Sequence, residues 1–272
     1  MLRVISFNIN GIRAAAKKGF FTWLERQDAD VVCIQETKAH ANQLRDEIFT
    51  PKQYYRYLFS AERKGYSGVA IYTRYKPDNV VEGLGWSLAD SEGRYLQVDL
   101  GKLSIASVYL PSGSSGEERQ QLKYHFMKEF AKDLRRFQRN HREYIICGDW
   151  NIVHKAIDIK NWRANQKSSG CLPEERAWLE QLFTAREWVD AFRQLNKEAG
   201  QYTWWSNRGQ ARANNVGWRI DYQIITPGLT DKLRTTSIYK AQWFSDHAPL
   251  TIDYNITVKA TRHKQSFATQ SA

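Results

Sequence analysis

Long apolar runs are missing from this chain. None approaches the roughly eighteen residues that a membrane-crossing helix needs, so no membrane span organises it. The opening residues, Met1 to Asn10, lack a secretion-signal pattern and read directly as a first strand. Cysteine is scarce and odd in number. Cys33, Cys147 and Cys171 lie far apart, the first two inside apolar strand-like runs. Buried free thiols in a reducing compartment are expected, which points to the cytoplasm (and to the nucleoid in a bacterium). No Cys/His spacing suggests zinc. No Gly-, Ser- or Pro-rich linker is long enough to divide the 272 residues. One domain over residues 1–258 is therefore expected, followed by a polar tail, 259–272, whose low apolar content predicts disorder.

Acids are in deficit: 29 Asp and Glu stand against 40 Lys and Arg, a net charge of +11. An excess of that size favours a polyanionic partner through counterion release, with nucleic acid the first candidate. The chain also carries 10 Trp and 14 Tyr, enough to fill a core and leave rings for stacking against bases.

Periodicity predicts alternating strands and helices. Leu2 to Phe7 and Val31 to Gln35 read as strands, with a basic helix over Ile12 to Lys18 and another over Phe20 to Arg26 between them. A short helix is predicted at Leu44 to Phe49, and paired strands at Tyr54 to Phe59 and Ser67 to Thr73. Further strands follow at Val80 to Glu82, Tyr95 to Leu100 and Leu103 to Tyr109. Glu117 to Asn140 is the longest helix, its apolar residues spaced three and four apart, its acids early and its bases late. Pro173-Glu174-Glu175 opens another in the preferred way. Single strands are expected at Tyr202 to Trp205, Trp218 to Ile225, Thr235 to Tyr239 and Thr251 to Val258.

The most informative stretch is Tyr144 to Ile152. A buried strand ends on Gly148, which permits a sharp turn or a close approach to a ligand. Asp149 and Asn151 follow, two apart and so on one face of an extended chain. A carboxylate there can accept a proton or hold a cation, and an amide can orient a nucleophile. Taken alone, a plain Asx turn is the commoner use of such a pair. Other strand ends repeat the pattern: Asn8 and Asn10, Glu36, Tyr109, and Asp221 with Asp246-His247. Each has a bland use, as helix cap, solvated acid or core tyrosine. Their recurrence at one architectural position favours a site. Asn8-Ile9-Asn10 and Asp149-Trp150-Asn151 also hint at two similar αβ halves packed sheet on sheet.

In order along residues 2 to 254, Phe7-Asn8-Ile9-Asn10-Gly11, Gln35-Glu36-Thr37-Lys38, Gly65-Tyr66-Ser67-Gly68, Tyr109-Leu110-Pro111, Gly148-Asp149-Trp150-Asn151, Asn215 to Tyr222 and Ser245-Asp246-His247-Ala248-Pro249 resemble the exonuclease III family of abasic-site DNA endonucleases. The resemblance implies a four-layered αββα sandwich and a Mg²⁺-dependent hydrolase, with Mn²⁺ as a substitute ion. Such an enzyme cuts double-stranded DNA 5′ to abasic sites in base excision repair, leaving a 3′-hydroxyl. It also implies clearing of blocked 3′ ends and 3′–5′ exonuclease activity. Catalytic roles would fall to Tyr109, Asp149, Asn151, Asp221 and His247, and metal binding to Asn8, Glu36 and Asp246. Trp204, Trp218 and Ile220 would wall the abasic pocket. Arg13, Lys17, Gly65, Tyr66, Asn161, Asn165 and Ser168 would grip DNA. A monomer is expected, and no redox or regulatory activity outside the nuclease fold. Ser112 departs from the Asn of some relatives and would change how the phosphate is held. A 3′-end-processing paralogue, a non-catalytic DNA-binding protein on the same scaffold, and a phospholipid-headgroup phosphodiesterase are the alternatives. The intact acid, amide and histidine set argues against pure binding, and the basic balance argues for DNA.

Overall fold

Apolar side chains point to opposite faces along nearly every strand of the computed structural model, which describes residues 1–263. Strand β1 (Leu2–Asn8) shows the rule: Leu2 and Val4 join one buried cluster, Ile5 and Phe7 another. A two-residue period does this in any extended chain. Helices α1 (Ile12–Lys17) and α2 (Phe20–Glu25) connect β1 to β2 (Val31–Gln35), followed by β3 (Tyr55–Phe59), β4 (Val69–Thr73) and β5 (Asn79–Glu82). Helix α3 (Ser87–Ser91) leads to β6 (Tyr95–Leu100) and β7 (Leu103–Tyr109), and α4 (Glu117–Arg139) to β8 (Glu143–Asp149). Next come α5 (Trp162–Asn165), α6 (Pro173–Thr184), β9 (Val189–Asp190) and α7 (Ala191–Leu195). The chain closes through β10 (Trp204–Trp205), β11 (Gly217–Trp218), β12 (Asp221–Ile225), β13 (Leu233–Ile238) and β14 (Leu250–Tyr254).

Two six-stranded sheets result, in the orders β3-β4-β2-β1-β14-β13 and β5-β6-β7-β8-β12-β9. Read in those directions their pairings match. Only β2 with β1 and β7 with β8 run parallel, and every other neighbour is antiparallel. Strands β1 and β8 therefore hold equivalent places, which is the structural content of the Asn8/Asp149 echo. The inner faces meet through Leu2, Val4, Val31 and Cys33 on one side and Ile105, Ile145, Cys147 and Ile225 on the other. Phe20, Phe21 and Leu24 of α2 cover the first sheet's outer face. Phe126, Phe130 and Leu134 of α4, with Leu179 and Leu182 of α6, cover the second. This is the four-layered αββα sandwich.

The inner face turns polar towards the C-terminal ends of β1 and β8. Gln35 Nε2 donates to Ser107 Oγ at 2.9 Å, and Gln223 Nε2 donates to the Val4 carbonyl at 3.0 Å, each bond crossing between the sheets. Gln223 is met on both sides, its Oε1 accepting from the Tyr254 hydroxyl at 2.9 Å, and a crossing amide so held fixes how the sheets are registered.

Several elements differ from the sequence reading. The helix predicted over Leu44 to Phe49 is a single 3₁₀ turn, Glu47–Phe49, capped by Asp46, with a second 3₁₀ turn, Ala41–Gln43, just before the buried Leu44. The strand predicted over Trp218 to Ile225 is interrupted at Arg219 and Ile220. There the buried Arg219 guanidinium bonds Asp158 at 2.8 Å and Asp190 at 2.7 Å, and these ion pairs take the place of strand pairing. The last strand stops at Tyr254. Gly148 does not turn the chain; it lies within β8, where a Cβ would run into the Val108 carbonyl of the neighbouring strand. All three cysteines are free and buried. Of the expected tail, residues 259–263 run beside the end of β4, with Lys76 N–H bonded to Thr261 O at 2.9 Å; residues 264–272 lie outside the described part.

Because Gly148 leaves no room beside β7, Gly148→Ala is expected to lower unfolding free energy by about 1–3 kcal/mol in denaturant titrations, without changing the secondary structure seen by circular dichroism.

Candidate active site

Inward-facing positions on the central strands build the site. On β1, Asn8 continues the Leu2–Val4 face, and on β8, Asp149 continues the Ile145–Cys147 face. Both sheets therefore aim a polar residue at the same point, and Asn8 Nδ2 donates to Asp149 Oδ2 across the gap at 2.8 Å. Asn8 Nδ2 also donates to Glu36 Oε1 at 2.8 Å.

Both strand ends then turn in the same way. The Asn10 N–H bonds Asn8 Oδ1 at 3.0 Å, and the Asn151 N–H bonds Asp149 Oδ1 at 2.8 Å. Each second residue adopts positive φ, 45° at Asn10 and 53° at Asn151. The Asx turn and the functional site are thus one structure. Glu36 also has positive φ, 52°, held by Gly11 N–H on its carbonyl at 2.8 Å. Non-glycine residues in this region are strained and gather where function needs them.

His247 faces Asp149 from the loop before β14, with Nε2 3.8 Å from Asp149 Oδ2. Its Nδ1 lies 2.9 Å from Asp221 Oδ2. Burial opposes the imidazolium, but the carboxylates of Asp221, Asp149 and Asp246 prevail and raise its pKa to about 10. Burial, with the nearby Asp221 and Glu36 charges, lifts Asp149 to about 7 against the pull of His247. The pair thus holds a proton donor beside a carboxylate poised near neutrality. Burial pushes the Tyr109 phenol well above its ordinary value, with Glu36 adding to the rise, so it stays a donor. Arg94, fully buried, stacks 4.7 Å from the Tyr109 ring and donates to its carbonyl at 2.8 Å.

Glu36, Asp149 and His247 offer ligand atoms within 4.8 Å of one another. Of these, Glu36 offers, beside Asn8, the carboxylate oxygen that suits a hard divalent cation, while Asp149 faces His247. Asp246 is joined to this group indirectly. It accepts from Asn10 Nδ2 at 2.8 Å and Trp204 Nε1 at 3.0 Å, while Lys38 bridges Asn10 to Glu36 at 2.5 and 2.8 Å.

A cleft of about 790 Å³ opens over these groups. Glu36, Tyr109, Asp149, Asn151, Asp246 and His247 form its floor, while Trp204, Trp218, Ile220 and Ser168 contribute walls. Asn8 and Asp221 sit buried behind. The remaining expected DNA contacts lie elsewhere on the surface. Arg13 and Lys17 are exposed on α1, Gly65 is exposed in its turn, and Asn165 Nδ2 bonds the Asn161 carbonyl at 2.7 Å. Tyr66 is half-buried, its hydroxyl accepting from Arg119 at 2.7 Å and Arg94 at 3.1 Å. Four charged residues were not singled out in the sequence: Arg94, Lys38, Arg208 on the cleft wall, and Lys123, which donates to the Asn151 carbonyl at 2.7 Å. Lys38, two residues beyond Glu36, and Arg208, in the basic polar loop Ser206 to Asn215, carry a local signal.

The comparisons agree with this architecture. Residues 5–247 match the Endonuclease/Exonuclease/phosphatase family, and the chain belongs to it. The chain is 34% identical over 257 residues to an exodeoxyribonuclease of Bacillus subtilis, covering 94% of this chain and 100% of that one. It is also 34% identical to the DNA repair nuclease APEX1 of Danio rerio, over 92% of this chain and 81% of that protein. Among solved structures, an AP endonuclease from Archaeoglobus fulgidus superposes with a TM-score of 0.85 at 24% identity, over 94% of this chain and 100% of that one. The 3′-5′ exonuclease NExo of Neisseria meningitidis gives 0.86 at 22%, with the same coverage. At those identities the two structures establish the fold.

The raised His247 pKa carries a sign. Its contribution to stability is complete below the ordinary histidine value of about 6.5 and fades as pH rises towards about 10. In ring-resolved NMR titrations, wild-type His247 is expected to stay doubly protonated through about pH 8, whereas Asp221→Asn brings its titration into about pH 6–8. An unchanged titration in Asp221→Asn would show that Asp221 does not hold the proton.

Proposed function

We propose that the chain is a Mg²⁺-dependent DNA repair phosphodiesterase that hydrolyses the backbone 5′ to abasic sites, leaves a 3′-hydroxyl, and clears blocked 3′ ends with the same groups. One observation carries the reading. Asp149, bonded to Asn8 and facing a protonated His247, opens onto a cleft walled by Trp204, Trp218 and Ile220.

Each residue has a task that its surroundings suit. Asp149, poised near neutrality by burial, takes a proton from the attacking water. Asn151 orients that water or the phosphate, its own position set by bonds to Asp149 and to the Leu110 carbonyl at 2.9 Å. His247, kept charged by Asp221, donates to a non-bridging phosphate oxygen and stabilises the negative charge of the transition state. Tyr109 remains protonated beside the leaving oxygen. Glu36 and Asn8, with Asp246 joined through Asn10, would hold Mg²⁺; Mn²⁺ takes the same oxygen donors. When bound, the ion supplies Lewis acidity and neutralises the departing 3′-oxygen.

Trp204 and Trp218 meet edge to face at 5.8 Å, leaving a rigid apolar wall for a sugar that carries no base. A missing base removes most of the unstacking cost, so lesion recognition is partly a matter of which nucleotide leaves the helix easily. Ser168, Ser169 and Gly170 also border the cleft, Gly170 beside Trp218, and their small side chains favour admission of the sugar. The basic surplus supplies the attraction for double-stranded DNA, one molecule suffices to grip a duplex, so the working unit is a monomer, and its free buried thiols suit the cytoplasm. Among the described residues, no helix is long and apolar enough to cross a membrane.

A duplex carrying one abasic analogue, incubated with Mg²⁺ or EDTA and mapped on a sequencing gel, tests this beside a matched duplex ending in a 3′-phosphate. Metal-dependent incision immediately 5′ to the lesion is expected. Removal of the 3′-phosphate alone would mean that the walls exclude the extrahelical sugar and that the protein is a 3′-end-processing enzyme. Asp149→Asn and His247→Ala are each expected to lower kcat by about 10²–10⁴-fold or more. DNA affinity by fluorescence anisotropy should stay within about tenfold, about 1.4 kcal/mol. Near-normal turnover in Asp149→Asn would remove the general base.

A further inference from the structure

Three chain segments border the cleft without sharing a secondary-structure element: Ser112–Ser114, Asn151 and Ser168–Gly170. Asn151 and the Ser168–Gly170 segment bond to one ion pair buried beneath them, and Gly113 packs on Gln120 beside that pair. Lys123 of α4 lies 2.5 Å from Glu175 of α6, and neither side chain has any solvent exposure. Lys123 Nζ donates to the Asn151 carbonyl at 2.7 Å. Glu175 accepts from the Gly170 N–H at 2.6 Å and the Leu172 N–H at 3.0 Å. Gln120 Nε2 donates to Glu175 at 3.0 Å, and the Gln120 amide oxygen fills the space that a Cβ on Gly113 would need.

The rim and the Asn151 loop are also laced directly. The Val153 N–H bonds the Gly170 carbonyl at 2.7 Å. A Cβ at Gly170 would lie 2.9 Å from the Asn151 carbonyl oxygen and 3.2 Å from the Trp218 ring. Displacing the rim would therefore press it into the aromatic wall or pull it from Asn151. Stability alone is a weak reason for the pair, because two ions stripped of water seldom outperform well-packed apolar side chains. What a fully satisfied buried charge pair does give is a single geometry for the groups bonded to it.

We propose that Lys123 and Glu175, with Gln120, form a positioning device that sets the width of the lesion pocket by clamping the Ser168–Gly170 rim to Asn151. The inference rests on the abasic-site reading and adds the residues that decide its specificity. An extrahelical sugar would have to seat in the cleft against the Trp204–Trp218 wall, whose contact with the rim at Gly170 fixes its place, whereas a terminal 3′-phosphate would need only Asp149 and His247. The clamp therefore acts on one substrate class far more than on the other. It touches no substrate atom.

The test uses Lys123→Met/Glu175→Gln, which removes both charges and leaves an amide oxygen to accept from Gly170 and Leu172. Wild type and variant are assayed with Mg²⁺ on the abasic duplex and on the 3′-phosphate duplex, with thermal melting recorded on the same samples. The abasic-to-3′-phosphate ratio of kcat/KM is expected to fall by about tenfold or more, mostly through KM on the abasic duplex, in a variant that melts cooperatively. An unchanged ratio in such a variant, whether both activities hold or fall together, overturns the proposal. Should the double variant fail to melt cooperatively, Gln120→Leu takes its place, because it removes the Gln120 bond to Glu175 and leaves the ion pair in place; the same drop is expected and an unchanged ratio again overturns the clamp. Wild-type protein that removes the 3′-phosphate but leaves the abasic duplex whole eliminates the abasic reading and the clamp together. Wild-type incision with an unchanged variant ratio eliminates the clamp alone.

Discussion

The hydrogen bond from Asn8 to Asp149 is the contact on which the site depends. It joins the central strand of one sheet to the central strand of the other, at the point where both strands end. Two sheets with matching pairing patterns, pressed face to face, bring equivalent positions together. One supplies an amide and the other a carboxylate, and the asymmetry between them creates the chemistry. An amide on both sides would give a neutral bridge, and a carboxylate on both would give repulsion in a dry interior.

Around that contact, electrostatic roles follow from depth. Asp149 and His247 are both nearly inaccessible, so each feels the other and the acids behind them with little screening. Asp221 lies one strand away from Asp149, directly paired with it in the ladder, and its carboxylate keeps the imidazole charged. Glu36, less buried, reaches the same point from the end of β2 and turns the opening into a place for a cation. Arg94 beneath Tyr109 supplies positive charge from below without entering the cleft. The outer shell repeats this economy: Arg219 between Asp158 and Asp190 breaks a strand, and that break lets Trp218 and Ile220 line the cleft.

Much of this was legible in advance, and the failures have identifiable causes. Strands such as β1, β2, β7 and β8 are legible as short apolar runs because both of their faces are buried, one against the other sheet and one under the covering helices. Leu44 to Phe49 misled because its apolar residues suggest a helix while Asp46 and the neighbouring charges favour isolated turns. Gly148 was read as a turn or ligand residue, yet its reason is the backbone of β7, 40 residues earlier in the chain and invisible to local pattern. The same holds for Lys123: in the sequence it is one more lysine on an amphipathic helix, and its partner Glu175 is 52 residues away.

By itself, the sequence determined which residue types stand at the strand ends, because hydrophobic periodicity marks where each strand stops and the acids, amides and histidine follow immediately. It also determined the family resemblance, since those short motifs occur in a set order. Tertiary structure alone decided which ends meet. The pairing of Asn8 with Asp149, the charge on His247, the shared turn at Asn10 and Asn151, and the buried Lys123–Glu175 pair under the rim all arise from contacts between distant segments. Their energies depend on burial and on distances of a few ångströms, and neither exists until the two sheets have closed on one another.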